Sequence, residues 1–407
     1  MGLLALPAAA QSIPGRYRVA LGERMPVVSN VVEGVIDRVA PIPTALPAPA
    51  LVEQSVDVSA LLAVENEVAA VAEPTALPPT HTPVPTATAV SDVAAVATEA
   101  PTEVPTVTPA PPATLAPTPA PLPTAVRLEG MGVIRQTFNN CGPANLTQTL
   151  NFHGLDVTQD QVADFLKPNS EDRNVSPWQI ADYVNDQTFL KATVHSGGNI
   201  EMLKQFIAAG YPVVIEKGYL PNTSNAPGWW GHYLTVFGYD DETEIFYSQD
   251  SYLGPWDGSG REDNYADLEE FWRQFNYTFY VVYPESEETI VNEILGSEML
   301  DEFTMWRNTA AIAQAQTEVN PEDEFAWFNL GTSLTRMGGL TGEQQYYQGG
   351  AEAFDRARAI GLPPRMLWYQ FQPYLAYMRV GRYQDMIDLA DATLTTQGGR
   401  NVEETYW

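Results

Sequence analysis

The sequence predicts an α+β domain followed by an all-α helical-repeat domain, with a long disordered linker in front. Three observations carry this. First, more than half of the 33 prolines, and no Phe, Trp, Tyr, Lys or Arg, fall between Pro41 and Val126. Second, apolar residues after Val126 recur at helical spacing and then in β-branched and aromatic runs bounded by turn residues. Third, every segment after Pro284 reads as helix. Helices first and antiparallel strands later describe an α+β arrangement. The expected boundaries are 1–40 for an N-terminal segment, 41–126 for the linker, 127–285 for the α+β domain and 286–407 for the helical one.

The N-terminal "MGLLALPAAAQ" reads as the end of an export-signal apolar region with a small-residue cleavage site. Its run of about eight apolar residues is far short of the ~20 that span a bilayer. The expectation is therefore an extracellular or cell-surface protein, with membrane contact only through a truncated signal or anchor. In the linker, runs such as "PTVTPAPPATLAPTPAPLPTAV" offer little apolar surface to offset the entropy of ordering. Such chain should be extended and act as a spacer.

Within 127–285 a helix pattern runs from Cys141 through Leu146, Leu150 and Phe152. Gly154 stands in the C′ place and Pro143 in the first turn, where its missing N–H costs nothing. Further helices are expected at 159–167, 177–187 and 200–209. The period then switches to strands at 211–218, 232–240, 244–250 and 278–284, with a short helix at 266–275 before the last. In the C-terminal part "AWFNLGTSL" and "AEAFDRA" fit the two helices of a tetratricopeptide-type repeat, a second unit restarts near Trp368, and a helical leader begins near Glu287. Two units are marginal alone, so this bundle should pack on the preceding domain.

The charge count of 21 Lys+Arg against 51 Asp+Glu repels phosphate backbones and excludes nucleic acid as a partner class. One cysteine permits no intramolecular disulfide and no cysteine-based metal site. There is no HExxH, CxxC or phosphate-binding loop, so neither metal nor cofactor is expected.

Cys141 stands at a helix N-terminus among Asn, Asn, Gly and Pro, where a thiol is acidified and where no apolar run would bury it. A nucleophile needs a base. His153 sits on the same helix about 18 Å away, and His195 lies in a turn without an acidic neighbour. His232 opens a strand after the Gly-rich "PGWWG" loop. If "DDET" (240–243) closes a hairpin, His232 falls opposite Asp250 or Ser251, and a carboxylate there would fix the imidazole tautomer. Gln136, on the loop approaching Cys141, is a candidate oxyanion donor beside the Cys141 backbone N–H. Trp229, Trp230 and Tyr252 flank His232 and Asp250 as candidate walls of a substrate cleft.

The order Gln136-x4-Cys141-Gly142-Pro143-Ala144, then Gly231-His232-Tyr233, then Asp250 resembles the papain-like cysteine peptidases. More closely it resembles cysteine peptidase family thirty-nine, the double-glycine (bacteriocin-processing) peptidases and their stand-alone bacterial relatives. The resemblance covers roughly residues 130–284. It implies a papain-like cysteine peptidase domain with Cys141 as nucleophile, His232 as general base and acid, Asp250 as its orienter and Gln136 in the oxyanion hole. The expected activity is thiol-dependent hydrolysis of an extracellular peptide or protein through a thioacyl enzyme. Two alternatives stand beside it. One is a non-catalytic scaffold that binds a peptide or protein partner through the helical repeats. The other is acyl transfer to an amine by the same triad.

Overall fold

Among the described residues seven antiparallel strands form one sheet, in the order 190–195, 279–284, 213–219, 230–240, 245–249 and 261–264, with 125–127 beside the far end of 230–240. This computed structural model describes residues 45–49, 55–63, 121–220, 228–395 and 401–406. The expected N-terminal segment 1–40 and the linker core 64–120 lie outside the described residues.

In chain order the elements begin with α1 (Val58–Ala63) and β1 (Ala125–Arg127). Three helices follow: α2 (Cys141–Phe152), α3 (Gln159–Leu166) and α4 (Pro177–Gln187). Then come β2 (Leu190–His195), α5 (Ile200–Ala208), β3 (Val213–Tyr219), β4 (Trp230–Asp240) and β5 (Ile245–Gln249). The sheet region ends with β6 (Arg261–Asn264), α6 (Tyr265–Trp272) and β7 (Phe279–Pro284). The helical region is α7 (Glu288–Leu300), α8 (Glu302–Val319), α9 (Glu324–Thr341), α10 (Gln344–Ile360), α11 (Gln372–Arg379) and α12 (Tyr383–Thr395).

Both faces of the sheet are covered, and strand alternation decides which residue goes where. Val213 and Ile215 of β3, with Phe279 and Val281 of β7, pack under α5, α6 and α7. Their neighbours Val214, Tyr280 and Val282 pack under α2, α3 and α4. The helices start where side chains cap them. Thr158 and Ser176 each close a capping box with Gln161 and Gln179, and Asn199 caps α5 by accepting from Met202 N. Each such cap stabilises by about 1 kcal/mol.

Two pieces of the expected linker are ordered instead. Leu46 and Leu61 are buried against the helical region. Leu46 N donates to Leu362 O (2.9 Å), Arg358 donates to Pro47 O (2.9 Å), and Ser55 N donates to the Glu352 carboxylate (3.1 Å). The composition of 41–126 averaged over this segment, although the apolar "VSALLA" of α1 lies in a proline-free stretch between Pro49 and Pro74. Residues 125–127 likewise form a strand, their backbone pressed against Gly238, where a Cβ would meet Val126 O at 2.9 Å.

The helical region packs directly on the sheet region within one compact unit, as its short length required. Trp229 stacks on Phe275 (5.6 Å) and meets Phe325 and Tyr369. Arg365 lies over the Trp230 ring at 3.9 Å and donates to Trp229 O.

Candidate active site

The loop before α2 explains the Asn-Asn pair. Asn139 takes a left-handed φ of 56°, which Asn tolerates better than most residues. Asn140 precedes the helix but its side chain caps no helical N–H; it bonds Thr137 Oγ1 (2.8 Å) and accepts from Lys167 Nζ (3.1 Å). The positive end of α2 is therefore left without a side-chain cap at Cys141, its first residue. Lys167, buried, also donates to Asn139 O (2.8 Å) and so pins the loop from below.

Cys141 is half-buried. Burial alone would raise its thiol. A hydrogen bond to His232, the charge of that ring, a backbone bond with Tyr233 and the Lys167 ammonium together bring it below its usual value. His232 Nε2 lies 3.1 Å from Asp250 Oδ1, which leaves the other ring nitrogen for the thiol. Burial disfavours the imidazolium, yet the Asp250 charge and bond, with the Cys141 contact, push its pKa up to about 9. Asp250 is 2% exposed. Burial works against its charge too, but His232 and the Leu253 and Tyr252 N–H groups hold it well below the carboxylate range. Arg261 reaches its other oxygen at 3.3 Å.

The hairpin delivers Asp250 by a different route from the one expected. The ladder pairs Asp240 with Ile245 and Thr235 with Gln249, with a bulge at Phe237. His232 is therefore not directly opposite Asp250. The strand ends at Gln249, and the turn after it folds the carboxylate back, held by its own bonds to Tyr252 N and Leu253 N.

Gln136 is tied to the same turn: its N–H donates to Ser251 O (2.9 Å) and its Oε1 accepts from Ser251 Oγ (2.8 Å). Behind it lies Asn145, fully buried on α2. Its amide reaches Cys141 O (2.9 Å), Tyr233 O (3.0 Å) and Ser251 Oγ (3.2 Å), while its Oδ1 accepts from Thr235 and Gln148. One side chain thus links the Cys141 helix, the His232 strand and the Asp250 turn. Asn145 and Lys167 were missed by the sequence reading, which named Ser251 only as a position opposite His232. The available signal was a helix, "CGPANLTQTL", whose polar residues fall where an apolar face belongs.

The aromatic residues divide. Tyr252 is exposed, its ring 6.2 Å from Tyr219, which in turn lies 5.9 Å from His232. Trp229 is buried with its Nε1 donating to Gln274 (2.7 Å), and Trp230 is held between Arg365 and Trp368. Both tryptophans join the two regions rather than wall an open cleft. The other two described histidines stand apart: His195 bonds Thr193 (2.7 Å), its pKa lowered by burial to about 4, and His153 ends α2. Among the described residues no cluster of His, Cys, Asp and Glu could hold a metal ion.

Residues 128–280 match the Peptidase_C39 like family. This C39-like segment is a domain of cysteine-peptidase type, and it contains every residue of the network above. No curated protein matches the chain. Among solved structures, a C39-like peptidase of Bacillus anthracis is 19% identical, with a TM-score of 0.32, over 39% of this chain and 96% of that one. The peptidase domain of Streptococcus ComA, a bifunctional ABC transporter of a quorum-sensing pathway, is 12% identical, with a TM-score of 0.29, over 38% and 99%. No helix among the described residues is long and apolar enough to cross a membrane.

Proposed function

We propose that the C39-like segment hydrolyses an extracellular peptide or protein through a Cys141–His232–Asp250 triad. The observation that carries this is the continuous chain of thiol, imidazole and carboxylate, with the thiol made more acidic and the imidazole more basic. The lowered thiol and the raised imidazole favour thiolate and imidazolium as the resting pair. The thiolate attacks the scissile carbonyl carbon. The oxyanion that forms accepts from the Cys141 backbone N–H and from Gln136 Nε2, since Ser251 already engages Gln136 Oε1. His232 gives its proton to the amine, which leaves. Neutral His232 then takes a proton from water as that water attacks the thioacyl carbon, and release of the acid restores the ion pair. Asp250 holds the ring and stabilises its charge.

The deciding experiment is the rate of Cys141 alkylation by iodoacetamide between pH 4 and 9. With a single cysteine, every adduct reports this site. The expected apparent pKa lies well below the free-thiol value of about 8.5, and His232→Ala raises it. Slow labelling that His232→Ala leaves unchanged would sink the enzyme reading. Mass spectrometry of the products then separates hydrolysis from transfer to an added amine.

A further inference from the structure

Strand β3, the start of α4 and the helices α8 and α9 line a partly open pocket of about 270 Å³ that neither Cys141 nor His232 lines. At ~30 Å³ per water, that is on the order of nine non-hydrogen atoms, the size of one amino acid. Its walls include Pro177, Trp178, Trp306 and Phe371.

Two ionisable groups on those walls, Glu216 and Arg336, carry unmatched atoms. Glu216, 4% exposed, has an Oε1 with no hydrogen-bond partner. Its carboxyl also meets the Tyr233 hydroxyl, whose hydrogen is given to Val175 O at 2.8 Å. Oε1 remains a bare acceptor. Burial, the first cause, and the Cys141 charge push this acid well above its usual range, in keeping with a protonated group. Arg336 lies against the Trp178 and Trp306 rings at 4.4 and 5.5 Å. Its Nε is buried without a partner, and no described carboxylate pairs with it; Glu302 acts only at a distance. The N-terminal turn of α4 adds the positive end of a helix dipole to the same wall.

A half-buried cation without a counter-charge and a buried carboxyl oxygen without a donor each favour a partner that supplies one. One molecule with a carboxylate, an amino group and an apolar body satisfies both. We propose that this cavity binds a free α-amino acid with an apolar side chain. Its carboxylate meets Arg336, its amino group meets Glu216 Oε1, and its side chain lies among Trp178, Trp306 and Phe371. The site is separate from the reacting atoms, so its occupancy does not depend on peptidase activity.

The test is calorimetric titration of the full chain with L-leucine, L-isoleucine, L-methionine and L-phenylalanine. The controls are 4-methylpentanoate, which lacks the amino group of leucine, and 3-methylbutylamine, which lacks its carboxylate. Saturable binding of leucine is expected, at least ten-fold weaker for either truncated analogue and for Arg336→Met and Glu216→Met. If a variant fails to fold, the analogue series on the unaltered protein decides alone. No saturable heat from any of the four amino acids, or analogues that bind as well as leucine, would overturn the proposal.

Discussion

At the scale of single residues, the shifts of Cys141 and His232 have opposite signs and together set a pH window. The thiolate forms above the lowered Cys141 value, and the imidazolium persists up to about 9. Activity is therefore expected to be bell-shaped with its alkaline limb near pH 9. His232 is held above its unfolded value of about 6.5, so its stabilisation is complete below that pH and is lost as pH rises through about 9. Asp250 is held below its unfolded value, so its stabilisation is present above the carboxylate range and is lost as pH falls through the depressed value. Asp250→Asn removes the charge that raises His232. The expected result is a fall in kcat of about two to four orders of magnitude, with the alkaline limb moved to lower pH. An unchanged limb would separate Asp250 from His232 function. Lys167→Met removes an ammonium that both favours the thiolate and anchors Asn139 and Asn140. The apparent thiol pKa should rise, by less than in His232→Ala, because Lys167 is the weakest of the named contributors. Cys141, His232 and Asp250 could be singled out from sequence because each stands in an unusual context: the lone thiol at a helix start, an imidazole after glycines, a carboxylate at a strand end. Lys167 could not, since nothing in a linear string separates a buried lysine from a surface one.

At the scale of elements, legibility followed the strength of the local signal. The helices α3, α4 and α5 begin at side-chain caps that the sequence spells out, and their bounds came within a residue or two. The strands β1, β2 and β6 were not foreseen. β1 is three residues long, and β6 is the wholly polar "REDN" at the sheet edge, where pairing supplies what side chains do not. In β2, "LKATVH" buries only alternate positions in part and resembles the turn that follows it. Helix pairing gives the sharpest prediction at this scale, because two glycines of one helix should respond with opposite signs. A Cβ on Gly331 would meet the buried Phe354 ring at 2.7 Å, whereas one on Gly339 meets nothing within 4 Å. Both lie within α9, so alanine offers each the same intrinsic gain of up to ~1 kcal/mol. Gly331→Ala should nonetheless destabilise, because overpacking costs about 1–3 kcal/mol. Gly339→Ala should stabilise. Urea unfolding of the two variants side by side checks the pair, and equal shifts would show that close approach of α9 and α10 is not what Gly331 serves.

At the scale of the whole molecule, the helical region completes the sheet region as well as following it. The sequence made that packing necessary in general terms, but it assigned Trp229 and Trp230 to a cleft because they stand next to His232. Proximity along the chain could not reveal that Phe325, Trp368 and Tyr369, more than ninety residues later, lie against those rings. The same contacts govern what a shortened chain can do. Removing everything after residue 285 would uncover Trp229 and Phe275 together. It would also strip Asn276 of its bonds to Asn329 O (3.0 Å) and Ser333 (3.3 Å), and free Arg273 from Asp323. Each large apolar side chain returned to water costs about 1.5–3 kcal/mol, and each polar group that loses its partner adds to that. Against a total of about 5–15 kcal/mol for a domain, the loss is a large fraction. Residues 121–285 alone should therefore unfold at markedly lower temperature than the full chain, or bind a hydrophobic dye in the native buffer, even though the matched segment 128–280 lies wholly within them. Thermal unfolding by circular dichroism, with dye binding measured in parallel, decides it. A monomeric fragment that melts cooperatively at the temperature of the full chain would mean the helical region contributes nothing to the stability of the site it covers.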